Sequence, residues 1–247
     1  MDSMPSVESD VTEYAPAMES VSNALPTPVS GSERVEIGID SLDRTLGGGI
    51  PSGSVVALEC PSGSTGEEIA YTFAGNPVHS TLYLSLVRRP NCVEDDIGRL
   101  GDNGSSHVVY LGEEIGRADS NNWLLTLAEH HKPWMGGTVV IDSYTDYELA
   151  SRGSTPSLAR LCEVIRNQNG ILFIIVHSNI EQNGATATRH VKQLADIVFE
   201  YSQPQGDESD QLSIPKMRAR TDQQVELPAT LELTIGKTLG LSRDDTF

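Results

Sequence analysis

Lysine and cysteine are scarce in this sequence, and both shortages limit the classes of protein to which it can belong. Only four of the 17 basic residues are Lys, against 35 acidic residues, so the formal net charge is −18. A surface of this sign repels polyanions, which disfavours a general nucleic-acid-binding role. The three cysteines, Cys60, Cys92 and Cys162, form no C-x-x-C pair. We therefore expect small buried thiols in a reducing cytosol rather than a metal or redox site.

An apolar run long enough to cross a membrane is also missing. No stretch of about 18 apolar residues occurs, and the N-terminus has no charged segment followed by an apolar one. These absences predict a soluble, cytoplasmic protein without a membrane partner. An acid-rich, Lys-poor composition is typical of salt-loving microbes, in which high salt screens the self-repulsion of the chain. The composition therefore predicts a haloarchaeal source.

Residues 1–33 differ in composition from the rest of the chain. They contain six acids, no Lys or Arg, and Pro at positions 5, 16, 26 and 28. Such a segment buries too little apolar surface to offset the entropy that it loses on ordering. We therefore predict a disordered acidic tail over 1–33 and a single domain over 34–247, which is long enough to enclose a sizeable core.

From residue 55 to about 200, short β-branched apolar runs alternate with segments of helical periodicity. This alternation predicts an α/β fold, with a mostly parallel sheet flanked by crossover helices. The predicted strands cover 55–59, 81–86, 107–111, 138–142, 171–176 and 196–201. The predicted helices cover 67–74, 92–100, 120–131, 156–168 and 189–194. Two later segments, 212–217 and 229–236, predict a C-terminal antiparallel strand pair at one edge of the sheet.

The turn after the first predicted strand is a candidate phosphate loop without a lysine. Such a loop needs convergent backbone N–H groups, a helix N-terminus, a Lys and a Ser or Thr, spaced G-x-x-x-x-G-K-[ST]. In one register Cys60 and Thr65 replace the two glycines, Gly66 replaces the Lys, and an acid replaces the Ser or Thr. In the register one residue along, Gly66 is the second glycine and Glu67 takes the Lys position. Neither register supplies a cation. The candidate binding residues of this loop are Cys60, Gly63, Ser64, Thr65, Gly66, Glu67 and Glu68.

The two acids at the end of this loop oppose a bound triphosphate. A charge-assisted hydrogen bond contributes about 1.5–3 kcal/mol, and two like charges 4 Å apart near a surface repel by about 4 kcal/mol. Without the Lys, and with Glu67 and Glu68 beside the phosphates, triphosphate binding should weaken by several kcal/mol. Because a helix N-terminus favours negative charge, these carboxylates can occupy the anion site themselves. The other interpretation is an ordinary strand-to-helix turn that never held phosphate.

The segment before the loop, residues 38–53, includes a Gly-Gly-Gly-Ile-Pro turn. It resembles the leader of the KaiC/RadA branch of the RecA-like P-loop ATPases, and the similarity extends over residues 35–240. The resemblance implies a RecA-like fold and subunits that form homo-oligomers or hetero-oligomers with RecA-like relatives. It also implies ATP and magnesium as cofactors of active members. The turn described above then corresponds to a degenerate Walker A motif.

The resemblance assigns roles to four residues outside the loop. Asp142 ends a strand that resembles the Walker B strand, whose Asp helps to hold magnesium through water. His177 lies where relatives place a nucleotide-sensing polar residue. Lys216 and Arg218 resemble the Lys-Met-Arg strand, which in ring assemblies reaches the γ-phosphate held by the neighbouring subunit. Without the resemblance, the same residues are a strand-terminal Asp, a histidine at a strand–loop junction and a solvated basic pair.

Two further segments bear on activity. Relatives carry two acids after the second strand, one of which activates the attacking water, whereas this chain has Val87 and Arg88 there. Without a carboxylate no general base is evident, so we expect no ATP hydrolysis and no bound cofactor. Residues 183–189, predicted to be a loop where DNA-handling relatives bind single strands, contain one Arg and no aromatic residue, too little for base stacking.

Three functional hypotheses follow. The first is a non-hydrolysing pseudo-ATPase with a regulatory or scaffolding role, for example in signal transduction, that completes the site of a competent relative. The second is a weakly active ATP-binding ATPase of the KaiC signalling type, which binds nucleotide through backbone amides and Asp142. The third is a DNA-repair or recombination paralogue that binds single-stranded DNA. The first is favoured because groups that act within the subunit are lost while Lys216 and Arg218 are retained.

Overall fold

The computed structural model describes residues 33–101, 105–112, 136–151, 155–178, 184–203, 210–218 and 231–232. Within these residues the strands are β1 (Arg34–Val35), β2 (Ile50–Pro51), β3 (Val55–Cys60), β4 (Ser80–Ser85), β5 (Ser105–Tyr110), β6 (Thr138–Asp142), β7 (Ile171–His177), β8 (Ile197–Ser202), β9 (Gln211–Met217) and β10 (Leu231–Glu232). The helices are α1 (Asp40–Thr45), α2 (Glu68–Ala74), α3 (Pro90–Leu100), α4 (Tyr144–Ser151), α5 (Thr155–Asn167) and α6 (Gly184–Leu194). A 3₁₀ turn, Thr65–Glu67, leads directly into α2.

Eight of the described strands form one sheet, in the order β10-β9-β8-β3-β7-β6-β4-β5. The six strands from β8 to β5 are parallel, and β9 and β10 extend the β8 edge in antiparallel pairing. Helices cover both faces of the central strand β3, which explains its apolar run Val55–Leu58. The predicted class, a mostly parallel sheet flanked by helices with a C-terminal antiparallel pair, is confirmed.

Alternate residues of β3 face two different cores. Val55 and Ala57 pack with side chains from α4, α5 and α6, whereas Val56 and Leu58 pack with side chains from α1, α2 and α3. All four are fully buried. Burial of a large apolar side chain contributes about 1.5–3 kcal/mol, so the two layers hold the ends of the parallel strands in fixed positions.

The segment before β3 is fixed by α1 and by the β1–β2 ribbon. Asp43 in α1 accepts the backbone N–H groups of Ile37 and Gly38 at 2.7 and 2.9 Å. At Gly49 the backbone φ is +107°, and a Cβ there would lie 2.3 Å from the carbonyl oxygen of Val35. Only glycine fits this position, so the glycine-rich turn of the leader closes the ribbon.

The segment 183–189 differs from its predicted local structure. It was predicted to be a loop, but α6 begins at Gly184 and continues through Arg189 to Leu194, so the prediction of a loop is wrong. The Gly and Thr residues of this segment favour a loop locally. Burial of Val191 against the sheet overrides that weak preference.

Other differences concern α4 and the ends of the chain. The sequence pattern does not predict α4, although Tyr144 and Tyr147 lie three residues apart and are buried in the core. Of the strand predicted at 229–236, the structure describes Leu231–Glu232 as strand. The helix predicted at 120–131 and residues 1–32 of the predicted tail lie outside the described residues. Across the described part of the chain, no helix has the length and apolar character that a membrane span requires.

Candidate nucleotide site

Three parallel strands end at the same edge of the sheet, beside the loop that follows β3. β3 ends at Cys60, which pairs in register with His177 at the end of β7, and β6 ends at Asp142. In the loop, Gly63 has a φ of +72°, and the turn that begins at Thr65 continues into α2. Ligands of open α/β sheets bind outside the carboxyl ends of the strands. The structure therefore brings the predicted loop, Asp142 and His177 together.

A carboxylate of the protein itself contacts the loop. Glu67 Oε1 accepts the backbone N–H of Gly63 at 2.8 Å and lies 3.2 Å from His177 Nε2. Burial raises the pKa of Glu67, but His177 and the Gly63 N–H outweigh burial and lower the pKa from its ordinary value. Glu67 is therefore ionised at neutral pH. Its charge lies against an amide of the kind that binds phosphate oxygens.

His177 is a buried cation between two carboxylates. Its Nε2 faces Glu67, and its Nδ1 lies 3.5 Å from Asp146 Oδ2, although neither nitrogen has the alignment of a full hydrogen bond. Burial lowers the pKa of His177, but Asp146 and Glu67 raise it to about 9. The attraction is therefore mainly coulombic. No pattern in the sequence indicated Asp146, because this residue belongs to α4, the helix that was not predicted.

Gly66 is packed so closely that no side chain fits. A Cβ at this buried position would lie 2.5 Å from Tyr201 Cδ1 and 2.8 Å from Cys60 Cβ. The Tyr201 hydroxyl is hydrogen-bonded to Thr65 Oγ1, which also donates to Asp210 Oδ2 at 3.2 Å. The hydrogen bond with Thr65 holds the Tyr201 ring, which belongs to β8, against the first turn after the loop. In the register in which Gly66 stands for the Lys, the space for a lysine side chain is filled by protein.

Asp142 is buried and bonded to a tyrosine. Its Oδ2 accepts the Tyr83 hydroxyl at 2.7 Å. Burial raises the pKa of Asp142 to about 6, and the nearby Glu67 carboxylate adds to this shift. Within the described ranges, no three His, Cys, Asp or Glu side chains are grouped so as to hold a metal ion. The structure therefore gives Asp142 a protein partner, the Tyr83 hydroxyl, and its contact with magnesium stays a prediction.

Arg88, at the position where relatives carry an acid, is linked to Glu67 through a tyrosine. Its guanidinium donates to the Tyr71 hydroxyl at 2.8 Å and pairs with Asp96 at 2.6 Å. The Tyr71 hydroxyl in turn donates to Glu67 Oε2 at 3.4 Å. Sequence reasoning missed Tyr71 and Asp96 because they lie on the faces of α2 and α3 that the fold alone brings together.

Comparison with known proteins gives the family and the fold. The sequence matches a family of unknown function, DUF7125, over residues 34–246. The chain belongs to DUF7125. A search of the curated proteins finds no match to this DUF7125 chain.

The solved structures that resemble the DUF7125 chain include a KaiC-like protein and a flagellar accessory protein. The KaiC-like protein PH0186 from Pyrococcus horikoshii OT3 gives a TM-score of 0.59 at 19% identity, over 79% of this chain and 93% of that protein. The flagellar accessory protein FlaH from Methanocaldococcus jannaschii gives a TM-score of 0.57 at 20% identity, over 75% of this chain and 88% of that protein. The DUF7125 chain therefore has a KaiC-like, RecA-like P-loop fold, as the leader segment predicts.

The basic pair predicted to act on a neighbour lies apart from the loop. Lys216 pairs with Val198 near the start of β8, whereas the ring of Tyr201 lies near its end. The Lys216 ammonium donates to the carbonyl oxygens of Lys192 and Gln193 at 2.7 and 3.2 Å, at the C-terminus of α6. Arg218 is 56% exposed. In the DUF7125 chain, Lys216 is thus engaged within its own subunit, whereas the Arg218 side chain is mostly exposed.

Three other residues of the predicted loop, Cys60, Ser64 and Glu68, lie in different environments. The Cys60 thiol is fully buried, and burial raises its pKa to about 12. The Ser64 N–H donates to the Pro61 carbonyl oxygen at 3.1 Å, which closes the turn. Glu68 lies toward α3: burial raises its pKa, and Arg99 in that helix partly offsets the shift. Of the two acids after the loop, Glu67 alone contacts the Gly63 amide.

Proposed function

We propose that this DUF7125 protein is a RecA-like pseudo-ATPase, a regulatory or scaffolding subunit that keeps the fold but neither holds nor hydrolyses ATP. The proposal rests on one observation, the ionised Glu67 carboxylate on the Gly63 N–H, with His177 as its counter-ion. The loop thereby contains its own anion and its own cation. ATP and magnesium are accordingly not cofactors of this subunit.

The charges around the loop support this proposal. A triphosphate on the Gly63 amide would have to displace the Glu67 carboxylate or lie beside it. Two like charges 4 Å apart repel by about 4 kcal/mol at an effective dielectric of 20, and displacement would separate Glu67 from His177. In the register in which Gly66 takes the position of the phosphate-binding lysine, Tyr201 excludes any side chain. The residues present therefore do not fit a bound nucleotide.

The residues around Arg88 also support the proposal that this subunit does not hydrolyse ATP. A general base for water must be a proton acceptor within hydrogen-bond reach. Arg88 is a permanent cation and offers donors only. The buried Asp142 carboxylate already accepts the Tyr83 hydroxyl. Of the two acids after the loop, Glu67 is engaged with the Gly63 N–H and His177, and Glu68 lies toward α3. Hydrolysis therefore has no positioned catalyst in this subunit.

Calorimetric titration with ATP and magnesium tests the proposal. We expect no saturable heat up to about 1 mM nucleotide, where a Kd of 1 mM corresponds to about −4 kcal/mol. Glu67→Gln removes the competing charge, and Glu68→Gln is the matched control, since Glu68 does not contact the Gly63 amide. Any gain of binding should be confined to Glu67→Gln. Saturable binding by the unaltered protein would favour the weakly active ATPase instead.

We further propose that this subunit assembles with itself or with a catalytically competent RecA-like relative, and that the exposed Arg218 acts on the neighbouring subunit. One structural neighbour is a flagellar accessory protein, and an accessory role of that kind fits a subunit without its own activity. The test is the ATPase rate of a competent relative mixed with this protein and with its Arg218→Ala variant. Arg218 is preferable to Lys216 because Lys216 also caps α6. An identical rate in both mixtures would remove the assembly proposal.

A further inference from the structure

A cleft beside α6 collects a large share of the positive charge of this acidic protein. It has a volume of about 580 Å³, and Arg189, Lys192, Lys216 and Arg218 line it. Of the described residues in its lining, only Glu59 is acidic. Four of the 17 basic residues of the chain thus face one cavity, although the net charge is −18. A concave surface of one sign focuses the field and attracts the opposite charge.

Most of this charge is not neutralised within the cleft. Lys192 forms an ion pair with Glu59, and the Lys216 ammonium contacts uncharged carbonyl oxygens. Arg218 is 56% exposed, and its ion-pair contact is long at 3.9 Å. The Arg189 side chain is exposed and forms no hydrogen bond or ion pair with any residue that the structure describes. Arg189 and Arg218 therefore remain available to carboxylates, which arginine binds through paired N–H groups. The Lys216 ammonium, whose hydrogen-bond partners are uncharged, adds its positive charge to the cleft.

The N-terminal segment of the same chain carries the complementary charge. Residues 1–33 contain six acids and no Lys or Arg, and three of these acids, Glu8, Asp10 and Glu13, fall within six residues. The described structure begins at Glu33, whose carbonyl oxygen accepts the Ser52 N–H just before β3. At up to about 3.5 Å per residue, the chain between Glu13 and Glu33 can span up to about 70 Å. The acidic run can therefore reach any face of the domain.

We infer that residues 8–13 bind in this basic cleft of their own chain, with their carboxylates against Arg189, Lys216 and Arg218. A covalent tether gives an effective concentration in the millimolar range, whereas the acidic surface elsewhere repels the same residues. This binding does not depend on the pseudo-ATPase proposal. Its consequence does: the segment covers Lys216 and Arg218, so a partner must displace it before these residues act on a neighbouring subunit.

Carbodiimide cross-linking of the full chain, read by mass spectrometry, tests this inference. The reagent joins a carboxylate to a lysine amine in contact with it, and the chain has four lysines, at 132, 192, 216 and 237. The pair Lys192–Glu200, 2.5 Å apart, is an internal control for reaction and fold. We expect links from residues 8–13 to Lys216 to exceed those to Lys132 or Lys237 by roughly tenfold.

Two sets of variants sharpen the test. Glu8→Gln/Asp10→Asn/Glu13→Gln should abolish the Lys216 link, whereas Glu94→Gln/Asp95→Asn, in which exposed acids of α3 are neutralised, should preserve it. Arg189→Gln/Arg218→Gln should lower its yield at least several-fold while the Lys192–Glu200 link stays. Equal links to all four lysines, an unchanged yield in the arginine variant, or links only between isotopically distinct chains would overturn the inference. No nucleotide is used, so the result is independent of the ATP titration.

Discussion

At the residue scale, Gly66 accounts for the close packing of the candidate nucleotide site and His177 for its positive charge. Gly66 has no side chain because Tyr201 and Cys60 fill the space, and His177 is charged because Glu67 and Asp146 flank it. Neither role depends on a ligand. Both are therefore open to test by substitution and unfolding of the protein alone.

Substitution of Gly66 tests the packing argument. Gly66→Ala would place a Cβ 2.5 Å from the Tyr201 ring, and we expect the free energy of unfolding to fall by about 1–3 kcal/mol. Gly98→Ala is the matched control, because no heavy atom lies within 4 Å of a Cβ there. In a helix interior that change should stabilise the protein by about 0.5–1 kcal/mol. Urea unfolding measures both, and an equal effect at the two glycines would contradict the account.

A lysine introduced at position 66 should not create ATP binding. We expect Gly66→Lys to lack measurable ATP binding, because the side chain cannot enter beside Tyr201 and Glu67 still contacts the Gly63 amide. Calorimetry on the folded variant checks this. Micromolar binding after this single change would show that the loop was short of a cation and nothing more.

The charge on His177 gives a defined pH dependence. Its pKa is raised from 6.5 to about 9 in the folded protein, so its contribution to stability is complete below pH 6.5 and is lost as the pH rises through about 9. His177→Gln should lower the free energy of unfolding by about 2–4 kcal/mol at pH 6.5 and flatten the loss above it. His190→Gln, on the partly exposed face of α6, is the control. Parallel pH profiles for wild type and His177→Gln would contradict this assignment.

At the scale of elements, Lys216 in β9 contacts the C-terminus of α6, whereas Arg218, which follows β9, does not share these contacts. Lys216 donates to two carbonyl oxygens that the helix leaves without backbone partners. Lys216→Ala should therefore lower the free energy of unfolding by about 1 kcal/mol and speed amide exchange in the last turn of α6. Arg218→Ala should change stability by less than about 0.5 kcal/mol, since the side chain is exposed. Similar exchange rates in both variants would refute the capping role.

The elements also show where the sequence pattern was informative. β3, β6 and β7 are buried on both faces, and their unbroken apolar runs marked them clearly. The pattern failed at α4 and at the start of α6, where local residues favour turns and only burial against the sheet selects a helix. The absence of a lysine from the loop and the presence of Glu67 and Glu68 could be recognised from the sequence alone. The contacts of Asp146 and Tyr201 with the loop were not, because α4 and β8 approach it only in the folded chain.

At the scale of the whole molecule, the net charge of −18 predicts a stability that depends on salt. Like charges over the surface destabilise the compact state, and raising the ionic strength from 0.1 to 1 M shortens the screening length from about 10 to about 3 Å. We expect the Tm to rise over this range of KCl. A matched series in sucrose, which does not screen charge, separates screening from solvent exclusion. A Tm that is flat in KCl would argue against the haloarchaeal interpretation of the composition.

We propose that the protein's own carboxylate, that of Glu67, closes the loop after β3 to triphosphate. A crystal structure of the full chain grown with millimolar ATP and magnesium tests it most directly. We expect Glu67 to keep its contact with the Gly63 N–H, with no nucleotide density beside the loop. Density for a triphosphate on the Gly63 amide, with Glu67 turned away from His177, would contradict it.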